Sequence, residues 1–258
     1  MGRVIAISNQ KGGVGKTTTC INLAASLAIM EKRVLLIDFD PQGNTTSGLG
    51  FVPANCQQNI YSVLIENTDI KNQILDTSVK RLKLIPSNID LTGAEVELVS
   101  VDEREVRLKN AIDQIKNEYD YIFIDCPPSL GLLTVNSLVA ADSILIPLQC
   151  EYYAMEGLSQ LLVTINRIKE TLNPNVVIEG ILPTMYDGRN NISRQVIEEV
   201  KLHMREYVFN TFIPRNVRLC EAPSFGKPAF FYDRTSKGTI SYLQLAKEIL
   251  EKHQKRVK

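Results

Sequence analysis

Residues 10–18 read Gln-Lys-Gly-Gly-Val-Gly-Lys-Thr-Thr, and this stretch decides the fold. It follows the apolar run 3–8, which predicts a short buried strand, and it opens the segment 16–30, whose apolar residues recur at helical spacing. Glycines between a strand and a helix let the backbone amides face phosphate oxygens, and the N-terminus of the helix adds partial positive charge. The sequence therefore predicts a phosphate-binding loop in its proper strand–loop–helix context.

The side chains of this loop have separate expected roles. We expect the Lys16 ammonium group to reach the β- and γ-phosphates of a nucleoside triphosphate, and the Thr17 hydroxyl to ligate Mg²⁺. The pattern departs from G-x-x-x-x-G-K-[ST] at its first position, which is Gln10, and it carries a second lysine, Lys11, that one nucleotide site does not need. A solvated surface charge is the alternative interpretation of Lys11. The residues predicted to bind the nucleotide in this loop are Lys11, Gly12, Gly13, Val14, Gly15, Lys16, Thr17 and Thr18.

Further apolar strands and helices alternate along the chain. Strand-like runs cover 33–38, 121–124, 143–147 and 176–182, with a weaker candidate at 82–85, and helical patterns lie between them. Continuous apolar strands of this kind belong to parallel sheets that are covered on both faces. We therefore predict an α/β fold, a doubly wound, mostly parallel sheet with helices on both faces. Because no long linker interrupts the pattern, residues 1–258 are expected to form a single domain.

Three aspartates follow predicted strands. Asp38 and Asp40 come at the end of the second strand, and Asp125 ends the strand over 121–124. Ligands of open α/β sheets bind at the carboxyl ends of the strands, so we expect all three side chains to face the phosphate loop. A carboxylate at this place usually holds Mg²⁺, often through water. For Asp38, a role as a helix or loop cap is an equally open interpretation.

Composition limits the other possibilities. The formal net charge is zero, so a nucleic-acid partner would have to be bound by a local basic patch. The five cysteines are far apart and form no C-x-x-C pair, which favours buried free thiols over a zinc or redox site. No apolar run approaches the ~18 residues of a membrane span, and we expect a cytoplasmic protein.

Three stretches together resemble one family. Residues 11–18, 38–44 (Asp-Phe-Asp-Pro-Gln-Gly-Asn) and 125–129 (Asp-Cys-Pro-Pro-Ser) are similar to the deviant Walker A ATPases. Within these, the chain most closely resembles the ParA/Soj chromosome- and plasmid-partition proteins, from Gly2 to about Lys252. The later stretches that make this resemblance specific are 149–159 and 214–224.

The resemblance implies a mechanism. ATP and Mg²⁺ are the implied cofactors of a slow ATPase whose catalytic residues are Lys11, Lys16 and Asp40. Lys11 corresponds to the signature lysine, which reaches the nucleotide of the other subunit in an ATP-sandwich homodimer, and Asp40 corresponds to the acid that positions the attacking water. The implied metal-site residues are Thr17, Asp38 and Asp125. The implied adenine-site residues are Pro214, Arg215 and Asn216.

The resemblance also implies partners. In this family the ATP dimer binds double-stranded DNA without sequence preference, a ParB-like centromere-binding protein stimulates hydrolysis, and the protein associates with the nucleoid. We expect Arg189 and Arg218 to be the first DNA contacts. The other candidates are Lys201 and Arg205, with Arg194, Arg234 and Lys237 as further basic residues of the last third of the chain.

Three alternatives on the same fold stay open. A MinD-like membrane switch would need an amphipathic C-terminal helix on lipid. In this chain we predict that Ile240, Leu243, Ala246, Ile249 and Leu250 pack on the core instead, ahead of the polar tail 251–258. An iron–sulfur scaffold would need bridging cysteines at a subunit interface, and Cys126 has no second cysteine at a convincing spacing. A small-metabolite kinase or ligase would leave Lys11 without a role.

Overall fold

The computed structural model describes residues 2–151 and 154–255. Tyr152 and Tyr153 of the family-like stretch 149–159, and residues 256–258 of the polar tail, lie outside the described residues. Within the described ranges, seven strands form one sheet in the order β3-β4-β2-β5-β1-β6-β7, parallel throughout except for the pair β3 and β4. The strands are β1 (Arg3–Ile7), β2 (Val34–Asp38), β3 (Leu75–Asp76), β4 (Leu82–Ile85), β5 (Tyr121–Asp125), β6 (Ser143–Gln149) and β7 (Val177–Thr184).

Helices cover both faces of this sheet. Side chains alternate along each strand, so β1 places Val4 and Ala6 in one hydrophobic core and Ile5 and Ile7 in the other. The helices that pack on the first core are α3 (Ile60–Leu64), α4 (Leu91–Glu97), α5 (Arg107–Asp113), α6 (Leu132–Ala140), α7 (Ala154–Thr171) and α8 (Asn191–Met204). Those on the second core are α1 (Lys16–Ile29), α9 (Val217–Glu221), α10 (Ala229–Tyr232) and α11 (Lys237–Lys255), while the short α2 (Asn44–Gly48) follows β2. The predicted fold class is confirmed.

Two details differ from the sequence-based expectations. The antiparallel edge strand β3 is only two residues long, and its pattern was too short to predict it. In α11, Ile240 is exposed and Leu243 is half-buried, so the predicted apolar stripe was wrong in its first members. The face that packs on the core is rotated toward Tyr242, Leu245, Ala246 and Ile249, because the Tyr242 ring fills the interior while its hydroxyl finds a polar partner.

The sheet order brings the chemically important strand ends together. β1 lies between β5 and β6, and β5 lies between β1 and β2, so the carboxyl ends of β1, β2 and β5 are neighbours. These ends lead into the phosphate loop, the Asp40 loop and Cys126, respectively. Asp125 is in register with both Ile7 and Asp38. The loop after β1 therefore meets both strand-end aspartates at the carboxyl edge of the sheet.

Candidate functional site

The loop between β1 and α1 has the geometry of a phosphate cradle. Gly13 and Gly15 have φ angles of 74° and 90°, in the left-handed region that favours glycine. Lys16 begins α1 and is buried, and its Nζ donates to the Lys11 carbonyl oxygen at 3.3 Å, across the loop. Burial lowers the pKa of Lys16, and the nearby Asp125 charge opposes this shift. The Thr184 hydroxyl donates to the Val14 carbonyl at 2.8 Å and ties the loop to the end of β7.

Asp125 accepts two hydroxyl donors on one oxygen and leaves the other oxygen without a partner. Its Oδ2 accepts from Thr17 Oγ1 at 2.8 Å and from Thr45 Oγ1 at 2.6 Å. Its Oδ1 is buried and has no hydrogen-bond partner among the described residues. An unpartnered buried carboxylate oxygen is costly, and burial accordingly raises the pKa of Asp125. The hard oxygen donors of Thr17 and Asp125 fit a magnesium ion.

Asp38 braces the segment that follows β2. It is fully buried, and its Oδ2 accepts from Thr46 N at 2.8 Å and from Thr46 Oγ1 at 2.6 Å. Its Oδ1 accepts from Asp40 N at 3.4 Å. Burial, together with the Asp125 charge, raises the pKa of Asp38 to about 8. These contacts give Asp38 the loop-capping geometry that the sequence left open, next to Asp125.

Asp40 lies on the loop between β2 and α2. It is largely buried, and its Oδ1 accepts from Gln42 N at 2.9 Å. The two threonines of α2, Thr45 and Thr46, were missed by sequence reasoning although their hydroxyls bind the two strand-end aspartates. The signal that could have found them is a pair of adjacent hydroxyl residues directly after two strand-end carboxylates.

A small cavity of ≈110 Å³ adjoins the phosphate loop at Gly15 and Thr18. The predicted adenine-site residues Pro214, Arg215 and Asn216 all line it. Sequence reasoning missed its other walls, because they come from the end of β7, two loop positions and the helices α9 and α11: Thr184, Met185, Ile213, Leu219, Cys220 and Tyr242. Its place beside the first turn of α1 fits a ring attached to a phosphate chain.

The two loop lysines lie in different environments. Lys16 has a relative exposure of 7%, whereas the Lys11 side chain is 37% exposed. Lys11 Nζ lies 3.3 Å from Glu151 Oε2, and Arg215 reaches the same carboxylate at 4.0 Å. An exposed ion pair of this kind contributes only about 0–1 kcal/mol, so Lys11 can leave Glu151 easily.

The predicted DNA contacts are exposed but divided between two faces of the sheet. Lys201 lies on α8, over the Phe212 ring at 5.5 Å, and Arg205 follows that helix. Arg218 lies on α9 and pairs with Glu221 at 2.8 Å, while Arg189 precedes α8 and pairs with Asp187 at 2.9 Å. The further candidates are also exposed: Arg194 on α8, Arg234 before α11 and Lys237 at its start. Although α8 and α9 pack on opposite faces of the sheet, the segments that precede Arg189 and Arg218 meet, because Tyr186 and Pro214 form a β-bridge.

Three further observations concern membrane spans and metal ligands. None of the helices in the described ranges is long and apolar enough to cross a membrane. Cys126 is fully buried, and burial raises its pKa to about 12, so it is a poor iron ligand as it stands. No group of three or more His, Cys, Asp or Glu among the described residues could hold a metal ion. A magnesium ion shared with phosphates needs only one or two protein carboxylates.

Comparison with known proteins finds relatives over nearly the whole chain. A family model described as an AAA domain matches residues 2–178. The chain is 58% identical over 249 residues to the sporulation initiation inhibitor protein Soj of Bacillus subtilis, covering 96% of this chain and 98% of that protein. It is also 58% identical over 252 residues to the chromosome partitioning protein ParA of Myxococcus xanthus, covering 98% and 89%.

The chain is also similar to a solved structure of cobyrinic acid a,c-diamide synthase from Mycobacterium smegmatis with bound ATP analog and magnesium. The sequence identity is 39% and the TM-score is 0.87, and the match covers 97% of this chain and 94% of that one. Identity to the partition proteins is higher over the same length. The chain belongs to the Soj/ParA family of chromosome-partitioning ATPases.

Proposed function

We propose that residues 1–258 form a single-domain ATPase that partitions DNA with ATP and Mg²⁺ as its cofactors. Two subunits join around two ATP molecules, the dimer holds double-stranded DNA without sequence preference, and slow hydrolysis releases it. The protein acts in the cytoplasm on the nucleoid. A ParB-like centromere-binding protein accelerates hydrolysis.

The observation that carries this proposal is the difference between the two loop lysines. Lys16 is buried inside the loop, where it would bind the phosphates of its own subunit's ATP. Lys11 extends outward to Glu151 at the rim of the site. A second cation at the rim serves a nucleotide that approaches from outside, as in a dimer with the phosphates at its centre. There it stabilises the charge that develops on the transferred phosphoryl group.

We assign roles to the remaining site residues from their contacts and positions. The Thr17 hydroxyl and the free Oδ1 of Asp125 would hold Mg²⁺, which neutralises charge on the β- and γ-phosphates. Asp38 lies beside them and fixes α2 through Thr46. Asp40, on the loop that Asp38 braces, would orient the attacking water. The cavity at Pro214, Arg215 and Asn216 would hold the adenine.

The proposed DNA surface uses Arg189, Arg218, Lys201 and Arg205, all of them exposed. Each phosphate contact releases a counterion, so affinity should fall steeply with salt. Pairing of two subunits would double the number of these basic residues in one particle, which supports a link between dimerisation and DNA affinity.

Sedimentation of the protein with ATP, with ADP and without nucleotide tests the dimer. We expect ATP-dependent dimers for wild type, loss of those dimers in Lys11→Ala and Lys16→Ala, and long-lived ATP dimers in Asp40→Ala. Lys80→Ala, which changes an exposed lysine on the loop before β4, is the control and should behave as wild type. ATP-dependent dimers of unchanged stability in Lys11→Ala would remove the trans role of this lysine, and normal hydrolysis by Asp40→Ala would remove the role of that carboxylate.

A further inference from the structure

A cavity of ≈540 Å³ opens at the amino ends of the central strands, at the edge of the sheet opposite the phosphate loop. Its walls come from residues at or just before the starts of β1, β2 and β5 and from the last two turns of α11. β1 separates the cavity from the phosphate loop by about 15 Å, because its residues rise about 3.3 Å each. The proposed ATPase mechanism therefore does not use this space. We call it the amino-edge cavity, and its walls include Arg3, Lys32, Arg33, Tyr119, Tyr121 and Leu250.

Cationic side chains predominate in the amino-edge cavity. Arg3, Lys32 and Arg33 line it together with one acidic residue, Asp120, which leaves an excess of two positive charges on a chain whose formal net charge is zero. Asp120 is already engaged, because it accepts from Arg33 N at 2.8 Å and pairs with the Arg33 guanidinium at 3.1 Å. Arg3 and Lys32 form no ion pair with an acidic residue in the ranges 2–151 and 154–255. Two cations that share a cavity without a counter-charge attract an anion.

The backbone holds two of these cations in fixed places. Arg3 N donates to the Asp120 carbonyl oxygen at 3.1 Å, and Asp120 N donates to the Arg33 carbonyl oxygen at 2.8 Å. Arg3 and Val34 are both in register with Tyr121, so the starts of β1, β2 and β5 lie side by side. The two arginines therefore stand on the rigid sheet and not on a loose loop.

Lys32 is positioned by the end of α1. Lys32 N donates to the Leu27 carbonyl oxygen and Glu31 N donates to the Ala28 carbonyl oxygen, both at 3.0 Å, which is the Schellman pattern that ends a helix. Glu31 has a φ angle of 64°, in the left-handed region where glycine is the usual residue. This turn leads directly from α1 into β2 and leaves Lys32 at the cavity. A site on such a fixed backbone needs little ordering when a ligand binds.

The rest of the wall is largely aromatic and aliphatic. Tyr119 and Tyr121 are buried, the Tyr121 ring stacks on the His253 ring with centroids 5.7 Å apart, and Leu250 of α11 is half-buried. His253 also lines the cavity, but its Nε2 lies 3.2 Å from the Glu179 carboxylate, which balances any charge on the imidazole. Small-molecule sites of about 300–1,000 Å³ combine an apolar wall with a few polar groups in this way. The lining thus matches an anion that carries a flat ring.

We propose that the amino-edge cavity binds a small aromatic phosphate, of up to mononucleotide size, at a site separate from the phosphate loop. The phosphate group would accept charge-assisted hydrogen bonds from Arg3 and Lys32, and the ring would pack on Tyr119 and Leu250. A concave site with two unpaired cations favours a small anion over duplex DNA, whose binding uses many phosphate contacts. The site requires neither ATP hydrolysis nor DNA binding.

The test measures binding of naphthyl phosphate, a fluorescent aromatic phosphate, by fluorescence anisotropy at about 0.15 M salt. Naphthol is the neutral counterpart of this probe. Each titration of the full chain is made with and without saturating ADP and Mg²⁺, because an occupied phosphate loop leaves only other sites to the probe.

Two variants change the cavity in different ways. Arg3→Gln/Lys32→Gln removes both unpaired cations, whereas Gln254→Trp keeps them and fills the cavity from an exposed position on α11. The matched control is Arg167→Gln/Lys169→Gln, which removes the same two residue types from exposed positions on α7 that do not line the cavity.

We expect wild type to bind naphthyl phosphate at least about tenfold more tightly than naphthol, with or without ADP and Mg²⁺. Arg3→Gln/Lys32→Gln should weaken binding at least about tenfold, Gln254→Trp at least about threefold, and the control less than about twofold. No binding by wild type, equal binding of naphthol, or an equal loss in the control would overturn the proposal.

Two further results would also overturn it. Loss of probe binding on addition of ADP and Mg²⁺ would place the probe in the phosphate loop. Displacement of the probe by duplex DNA would assign Arg3 and Lys32 to a nucleic-acid surface.

Discussion

Glu179 is a fully buried carboxylate on β7, and it anchors the C-terminal helix α11. Its Oε2 accepts from Ser143 Oγ at 2.9 Å and lies 3.2 Å from His253 Nε2, and its Oε1 lies 3.2 Å from Lys252 Nζ. His253 in turn contacts the Tyr121 hydroxyl through Nδ1 at 3.0 Å. Burial alone would raise the pKa of Glu179, but its contacts with His253, Lys252 and Ser143 overcome this cost and lower the pKa from 4.5 to about 2.

Glu179→Gln should therefore destabilise the fold markedly. A shift of the pKa from 4.5 to about 2 corresponds to about 3 kcal/mol, and breaking a buried charge pair costs about 3–5 kcal/mol. Taking about 3 kcal/mol, Tm should fall by about 6–12 °C for a chain of this size at pH 7. Because the folded pKa lies below the unfolded one, the stabilisation is complete above about pH 4.5 and is lost as the pH falls toward 2.

Urea unfolding of wild type and variant from neutral to acidic pH checks this. The difference in unfolding free energy should shrink below about pH 4.5. Asp113→Asn, which removes an exposed pair with Lys109, is the control and should cost less than about 0.5 kcal/mol. A Glu179→Gln loss no larger than the control, or one that does not change with pH, would refute the reasoning.

Two further predictions concern the ligand sites. Asp125→Asn keeps the hydroxyl contacts of Thr17 and Thr45 but removes a buried charge. ATP affinity measured by calorimetry should therefore lose its Mg²⁺ dependence, while Tm stays equal or rises. An unchanged Mg²⁺ dependence of ATP affinity would contradict the metal assignment. Arg189→Ala and Arg218→Ala should each make the negative slope of log DNA affinity against log salt concentration shallower by about 1. Arg33→Ala, at the opposite edge of the sheet, is the control and should leave the slope unchanged. Equal slopes in all three variants would contradict the assigned surface.

The sequence predicted those parts of the molecule that depend on local pattern. Apolar runs such as 33–38 specify buried parallel strands, and glycines at 13 and 15 specify the loop because few other residues adopt its backbone angles. The strand-end aspartates could be placed at one edge because parallel strands all end there. The positions of Asp38 and Asp125 opposite each other follow the same rule.

Features that depend on distant contacts could not be predicted in this way. The hydroxyls of Thr45 and Thr46 matter because α2 folds back onto two strands that are far apart in sequence. The buried face of α11 includes Tyr242, whose hydroxyl is accommodated by Thr19 at 3.1 Å, and no periodicity of apolar residues reveals such a partner. The amino-edge cavity likewise becomes visible only once the starts of β1, β2 and β5 lie side by side.

The central claim is tested most directly by binding to a non-specific DNA duplex with ATP, with ADP and without nucleotide, over a series of salt concentrations. We predict binding with ATP only, weakening steeply as salt increases. Absence of binding in every state, or equal binding with ATP and ADP, would contradict an ATP-controlled hold on DNA.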